Sequence, residues 1–135
     1  MAFPLIPVLI AGLTLAACAS AMTTPKVKRP LTSLAGSEWS PHGMQGQFVQ
    51  FRSGGELSGS GGCNNFFGTY TVDGETLTIG PLASTKKMCA SGMMEEQAFL
   101  SALQKARRIE TTHLTLAMYD ETGRLLLDLQ RRDWD

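Results

Sequence analysis

The feature that most constrains the fold of this chain is a pair of leucine-rich segments with a two-residue period near its C-terminus. Over residues 113–119, Leu114, Leu116 and Met118 fall on one face; over residues 124–131, Leu125, Leu127 and Leu129 do the same. Side chains alternate across a strand, so this pattern gives each segment one apolar and one polar face. Between them, Asp120-Glu121-Thr122-Gly123 supplies turn chemistry. The pair predicts an antiparallel hairpin whose leucine face must be covered by further structure.

The same period recurs upstream in a chain with 14 glycines. Residues 47–52 predict a strand, turned by Ser53-Gly54-Gly55. Residues 56–61 predict a second, whose glycines indicate bulges or close backbone approach. Residues 66–72 follow, then Asp73-Gly74, a strong hairpin signal. Residues 76–80 pair back, with Leu77 and Ile79 on one face and Thr76 and Thr78 on the other. Only residues 93–108 change period: Phe99, Ala102, Leu103 and Ala106 have helical spacing. Ser91 is the candidate N-cap. Glu95 and Glu96 at the start, and Lys105, Arg107 and Arg108 at the end, complement the helix dipole. The two glutamates read as solvated first-turn acids, because adjacent helix residues do not face each other. The expected fold is mainly β with one helix (α+β): a strongly curved antiparallel sheet or small open barrel with the helix packed on or in it.

The N-terminal segment has a different character. Residues 1–17 carry no charged side chain, and residues 5–17 are apolar apart from Thr14. That is short of the roughly 20 residues a transmembrane helix needs, and it fits a signal-peptide core. Leu15-Ala16-Ala17-Cys18 matches the bacterial lipobox, so residues 1–17 read as a lipoprotein signal peptide and Cys18 as the lipidated N-terminus. Multiple acyl chains anchor stably where one does not. The alternatives are an ordinary cleaved secretory peptide and a mis-called start codon, since the first residues lack Lys and Arg. Residues 18–30, small and polar with Lys26, Lys28 and Arg29 between Pro25 and Pro30, read as a flexible tether. Residues 31–135 form one domain. Ala19, rather than Asp, follows the lipidation site; in a Gram-negative cell that matches export to the outer membrane, facing the periplasm. The membrane, through the lipid on Cys18, is thus the first expected partner, and an envelope protein the second. With 12 basic and 12 acidic side chains in 135 residues, no positive excess exists to bind nucleic acid.

Three motifs within the domain resemble the META/HslJ family. They are Leu34/Gly36/Trp39, Gly62/Cys63/Asn64 with Gly68/Tyr70, and Thr85/Met88/Cys89 ahead of the helix. Their order and joint presence over about residues 31–131 carry the resemblance. It implies a compact β-rich domain with one helix, similar in shape to small periplasmic pilot-type lipoproteins. It implies no established catalytic residue, and it associates bacterial members with envelope stress tolerance.

Cys63 and Cys89 read as a structural disulfide in an exported, oxidising setting. A buried reduced pair and a reactive pair are the alternatives; no Cys-x-x-Cys is present and neither His42 nor His113 is adjacent in sequence. The spacing of Cys63, Cys89, His42 and His113 matches no compact zinc motif, so no metal or other cofactor is expected. Residues 54–62 lack the Gly-Lys-Ser/Thr ending of a phosphate loop. Asn64 and Asn65, beside Tyr70 and with Trp39, are candidates for a shallow groove. The expected function is a non-enzymatic envelope lipoprotein serving as a stress-related binding or assembly-support module. The alternatives are a barrel binding an apolar molecule around Trp39, Phe66 and Phe67, and a hydrolase.

Overall fold

The computed structural model describes residues 33–132, together with Pro4. The signal-peptide reading of residues 1–17, the lipidation of Cys18 and the tether of residues 18–30 lie outside the described residues. In chain order the elements are β1 (Ser37–Pro41), β2 (Gln47–Phe51), β3 (Glu56–Gly61), β4 (Asn65–Asp73), β5 (Thr76–Ile79), β6 (Ala83–Ser84), α1 (Met93–Lys105), β7 (Arg108–Thr111), β8 (Thr115–Tyr119) and β9 (Leu125–Arg131). All pairings are antiparallel, in the order β3-β2-β1-β9-β8-β7-β5-β4-β6. β3 also pairs with β4, so eight strands close into a barrel and β6 is the extra one.

The extra strand continues β5 past an interruption. Tyr70 pairs with Ile79, whereas Phe66 pairs with Ser84, a register shift of one residue along β4. Gly68 lies opposite the shift; a Cβ there would stand 2.9 Å from Leu82 Cδ2. An inserted residue of this kind bends a strand and helps a sheet curl.

One core fills the barrel. Trp39, Val49, Phe51, Leu57, Phe66, Leu77, Leu116, Met118 and Leu129 come from the strands, and Phe99, Leu103 and Ala106 come from α1 and the residue that ends it. Alternation delivers these side chains inward: in β2, Gln47, Val49 and Phe51 are buried while Phe48 and Gln50 are half-buried. The helix packs on β3 and β9, and Phe99 meets Phe66 edge-on at 6.0 Å between ring centres. The expected curved sheet with one helix is what the described residues form.

Several boundaries differ from the sequence reading, each for a local reason. The helix is capped by Gly92 in the left-handed region (φ 84), not by Ser91, and no side chain caps it. It ends at Lys105, because Ala106 turns extended and Arg107 already donates to the Tyr119 carbonyl. Arg107 still serves the helix C-terminus from outside: its guanidinium donates to the carbonyls of Gln104 and Ala106. Arg108 opens β7. His113 and Leu114 belong to a turn, where the Thr112 hydroxyl accepts from the backbone N–H groups of Leu114 and Thr115. Of Leu125, Leu127 and Leu129 in β9, only Leu129 is fully buried. A bulge between Met118 and Tyr119 pairs Tyr119 with Leu125 but Met118 with Leu127, which breaks the alternation and leaves Leu125 exposed.

Candidate functional site: a buried clip between barrel and helix

The Gly62/Cys63/Asn64 and Thr85/Met88/Cys89 motifs meet at one end of the barrel. β3 ends at Gly61 and the chain turns through Gly62 (φ 112) into β4, with the Gly61 N–H donating to the Asn64 carbonyl. This turn aims the backbone N–H groups of Cys63 and Asn64 in one direction, the arrangement that forms an anion-binding concavity. The anion is the protein's own. Oε1 of Glu96, in the first turn of α1, accepts from both N–H groups, and Oε2 accepts from the Asn64 side-chain amide at 2.9 Å. Glu96 is 3% exposed. It is not a solvated first-turn acid. Glu95, its neighbour, is exposed as expected.

Burial by itself pushes the Glu96 carboxyl up. Hydrogen bonds from the Asn64 side chain and from the Asn64 and Cys63 backbones, with the charge of Lys86 nearby, outweigh it and keep the group below its ordinary value. The glutamate therefore stays ionised inside the fold. Gly61 makes room for it: a Cβ at that position would lie 2.7 Å from Glu96 Oε1 and overlap its Cγ. This is the close approach that the glycines of β3 announce.

Asn64 carries the network to the segment ahead of the helix. Its Oδ1 accepts from the Thr85 hydroxyl at 2.9 Å and from the Lys87 backbone at 2.7 Å, and its Nδ2 donates to the Lys87 carbonyl at 3.1 Å. The Cys63–Cys89 disulfide, with Cα atoms 6.1 Å apart, closes the strap covalently. Every buried side-chain nitrogen and oxygen among the described residues has a partner.

The opening motif plays a parallel part elsewhere. Gly36 (φ 83) donates to the Phe51 carbonyl, and the Ser37 hydroxyl donates to the Leu34 carbonyl while accepting from Trp39 Nε1 at 2.7 Å. Trp39 thus enters the core with its polar N–H satisfied. Tyr70 packs edge-on against Phe51 and donates to the Arg52 carbonyl at 2.7 Å; burial pushes its phenol up.

The structure does not assemble Trp39, Asn64, Asn65 and Tyr70 into an open groove. Trp39, Asn64 and Tyr70 are buried and engaged as described; only Asn65 faces solvent. Phe66 and Phe67, neighbours on β4, point to opposite faces, one into the core and one outward. Both cysteine sulfurs are in the disulfide, and His42 and His113 are exposed. Among the described residues no group of three or more His, Cys, Asp and Glu could hold a metal ion, and no helix is long and apolar enough to cross a membrane. A shallow depression lies instead between the β1–β2 loop and the end of β9, lined by Pro41, Met44, Gln130 and Arg132 among others. Sequence reasoning missed Glu96 as a site residue, although its spacing to Phe99 and Leu103 places it on the buried stripe of the helix.

Fold and clip together define a small, filled β-barrel whose single helix is fastened by a disulfide, an asparagine and a buried carboxylate. The chain belongs to the META domain family, whose model matches residues 30–133. Among solved structures it is similar to a protein from Burkholderia xenovorans, with a TM-score of 0.62 and 22% identity over 75% of this chain and 85% of that one. A protein of the DUF4847 family from Bacteroides vulgatus is similar at a TM-score of 0.54 and 22% identity, covering 67% of this chain and 62% of that one. At these identities the likeness concerns the fold. No curated protein matches the chain significantly.

Proposed function

We propose that this chain is a non-enzymatic, lipid-anchored protein of the bacterial envelope whose META barrel supports binding or assembly under stress. The observation that carries the reading is that the motif side chains which could do chemistry are engaged with one another. Cys63 is bonded to Cys89, Asn64 to Glu96, Thr85 and the Lys87 backbone, and Glu96 to the Cys63–Asn64 turn. Groups used in this way fasten a scaffold, and the work of a scaffold is done by its surface. The lipobox at Cys18 and the tether that follows supply the anchor, at the outer membrane facing the periplasm in a Gram-negative host. The disulfide accords with export to an oxidising compartment. An apolar-ligand barrel has less support, because Trp39 and Phe66 are packed in the core while Phe67 lies outside it.

Intact mass of the full chain extracted from membranes tests the anchor, and photo-crosslinkers placed on the barrel exterior in the living envelope test the role. The expected mass lacks residues 1–17, gains the acyl groups on Cys18 and is two hydrogens short at Cys63 and Cys89. The expected crosslink is a discrete, reproducible protein adduct. An unlipidated mass, or crosslinks to lipid alone, would overturn the reading.

A further inference from the structure

The fold sorts the sulfur atoms of the described residues by their access to solvent. Cys63 and Cys89 are joined to each other, so neither offers a thiolate to an oxidant. The thioethers of the methionines are the sulfurs left open to oxidation. Met88 is 87% exposed and Met94 84%, Met44 is 44% exposed, Met93 is half-buried and Met118 is fully buried.

Local structure accounts for this order. Met88 lies in the strap, where residues 85–92 form neither helix nor strand and are all exposed. Both of its chain neighbours are fastened: the Lys87 backbone donates to Asn64 Oδ1, and Cys89 is in the disulfide. Met88 is held between them with its side chain in solvent. Met94 lies in the first turn of α1, about half a turn round the helix from the buried stripe of Glu96, Phe99 and Leu103. Met118, by contrast, sits in β8 between Ile109 and Leu127 and belongs to the core.

We infer that Met88 and Met94 are the sites at which a two-electron oxidant such as hydrogen peroxide modifies the folded chain, forming methionine sulfoxide without loss of the barrel. The thioether lone pair takes one oxygen of the peroxide. An S–O bond forms, the O–O bond breaks, and the second oxygen leaves as water with both hydrogens. The sulfur is oxidised by two electrons and the peroxide is reduced by two. The sulfoxide is polar. At Met88 and Met94 it forms where water already surrounds the side chain, so no core contact is given up. At Met118 the same oxygen would have to enter a packed interior, and reaction there waits on the opening of β8. Oxidation of Met88 also leaves the strap fastened, because the disulfide and the Asn64 hydrogen bonds do not involve its side chain. The inference depends on neither the anchor nor the partner of the proposed function.

The test treats the full chain, purified from membranes, with hydrogen peroxide and reads the oxygen gained by each methionine from peptide fragment masses over time. Met88 and Met94 are expected to react first, Met44 and Met93 next, and Met118 last, about tenfold or more behind the first two. In urea, where the fold is lost, the rates are expected to converge. The melting temperature is expected to hold once Met88 and Met94 each carry one oxygen. The two methionine sulfoxide reductases, one for each epimer, are then expected to restore the original mass. A Met88→Leu/Met94→Leu variant is expected to lose the fast phase. Met44 or Met118 reacting as fast as Met88 and Met94 in the folded chain overturns the inference. So does a rate order that persists in urea, or a melting temperature that falls as those two residues are converted. The envelope role is judged separately by the crosslinking and intact-mass measurements.

Discussion

The Glu96 carboxylate of the helix accepts both backbone N–H groups of the Cys63–Asn64 turn, and its alkyl chain occupies the space where Gly61 has no side chain. The helix is thereby fastened to the β3–β4 turn by a contact that hydrophobic packing alone would not specify.

Replacing Glu96 should be costly. Glu96→Gln retains an oxygen for the two backbone N–H groups but sets its amide NH2 against the Asn64 Nδ2 donor, while Glu96→Ala takes the acceptor from both backbone N–H groups and from one hydrogen of the Asn64 amide. Hydrogen bonds to a charged group contribute about 1.5–3 kcal/mol, and abandoned donors add to the loss. Urea unfolding should give a loss of about 2–4 kcal/mol for Glu96→Ala and a smaller one for Glu96→Gln.

Gly61→Ala should destabilise the wild-type background by about 1–3 kcal/mol through overpacking against Glu96. In a Glu96→Ala background the same substitution should cost markedly less, since the atoms it overlaps are gone. A double-mutant cycle measures the coupling; an additive result would show that the close approach is relieved without Glu96.

Stability should fall on the acid side through this same group. Its folded pKa is lowered, so the folded chain takes up the proton less readily than the unfolded chain. The contribution is present in full above the unfolded carboxylate value of about 4.3 and is lost as pH falls through the lower folded value. Melting temperature followed from pH 7 downward should drop below about pH 4.3, and Glu96→Gln should flatten that limb.

Opening the Cys63–Cys89 link by a Cys63→Ser/Cys89→Ser change should lower stability by about 3.5 kcal/mol, the loop-entropy value for a separation of 26 residues. The hydrogen bonds from Asn64 to Thr85 and Lys87 remain, so the barrel should still form. Hydrogen exchange should then rise in the strap around residues 85–92 before it rises in β2 or β8.

Regular alternation made β2, β3, β4, β5, β8 and β9 legible from the residues, and a 3.6-residue period did the same for α1. β1 escaped because Ser37-Glu38-Trp39-Ser40-Pro41 has no apolar alternation; beside Trp39 its inward face carries Ser37, which is bonded to Trp39. β7 escaped because Arg107 and Arg108 suit a helix C-terminus as well as a strand start, and only pairing with β8 decides between them. Of the candidate site, the motif cysteines and Asn64 could be named from the chain, whereas their function as a clip could not. Polar and aromatic residues near one another in the chain suggest a groove at Trp39, Asn64 and Tyr70, but burial removes these three from the surface.

The sequence by itself determined the strand-rich class, the helix and the family motifs, because each is local: a period, a spacing. The tertiary structure alone decided that the sheet closes through β3 and β4, that Leu125 stays outside and that Glu96 lies inside as an ionised group. These depend on residues far apart in the chain. Register across a bulge and the partners that keep a buried charge satisfied exist only once β3, β4 and α1 have met.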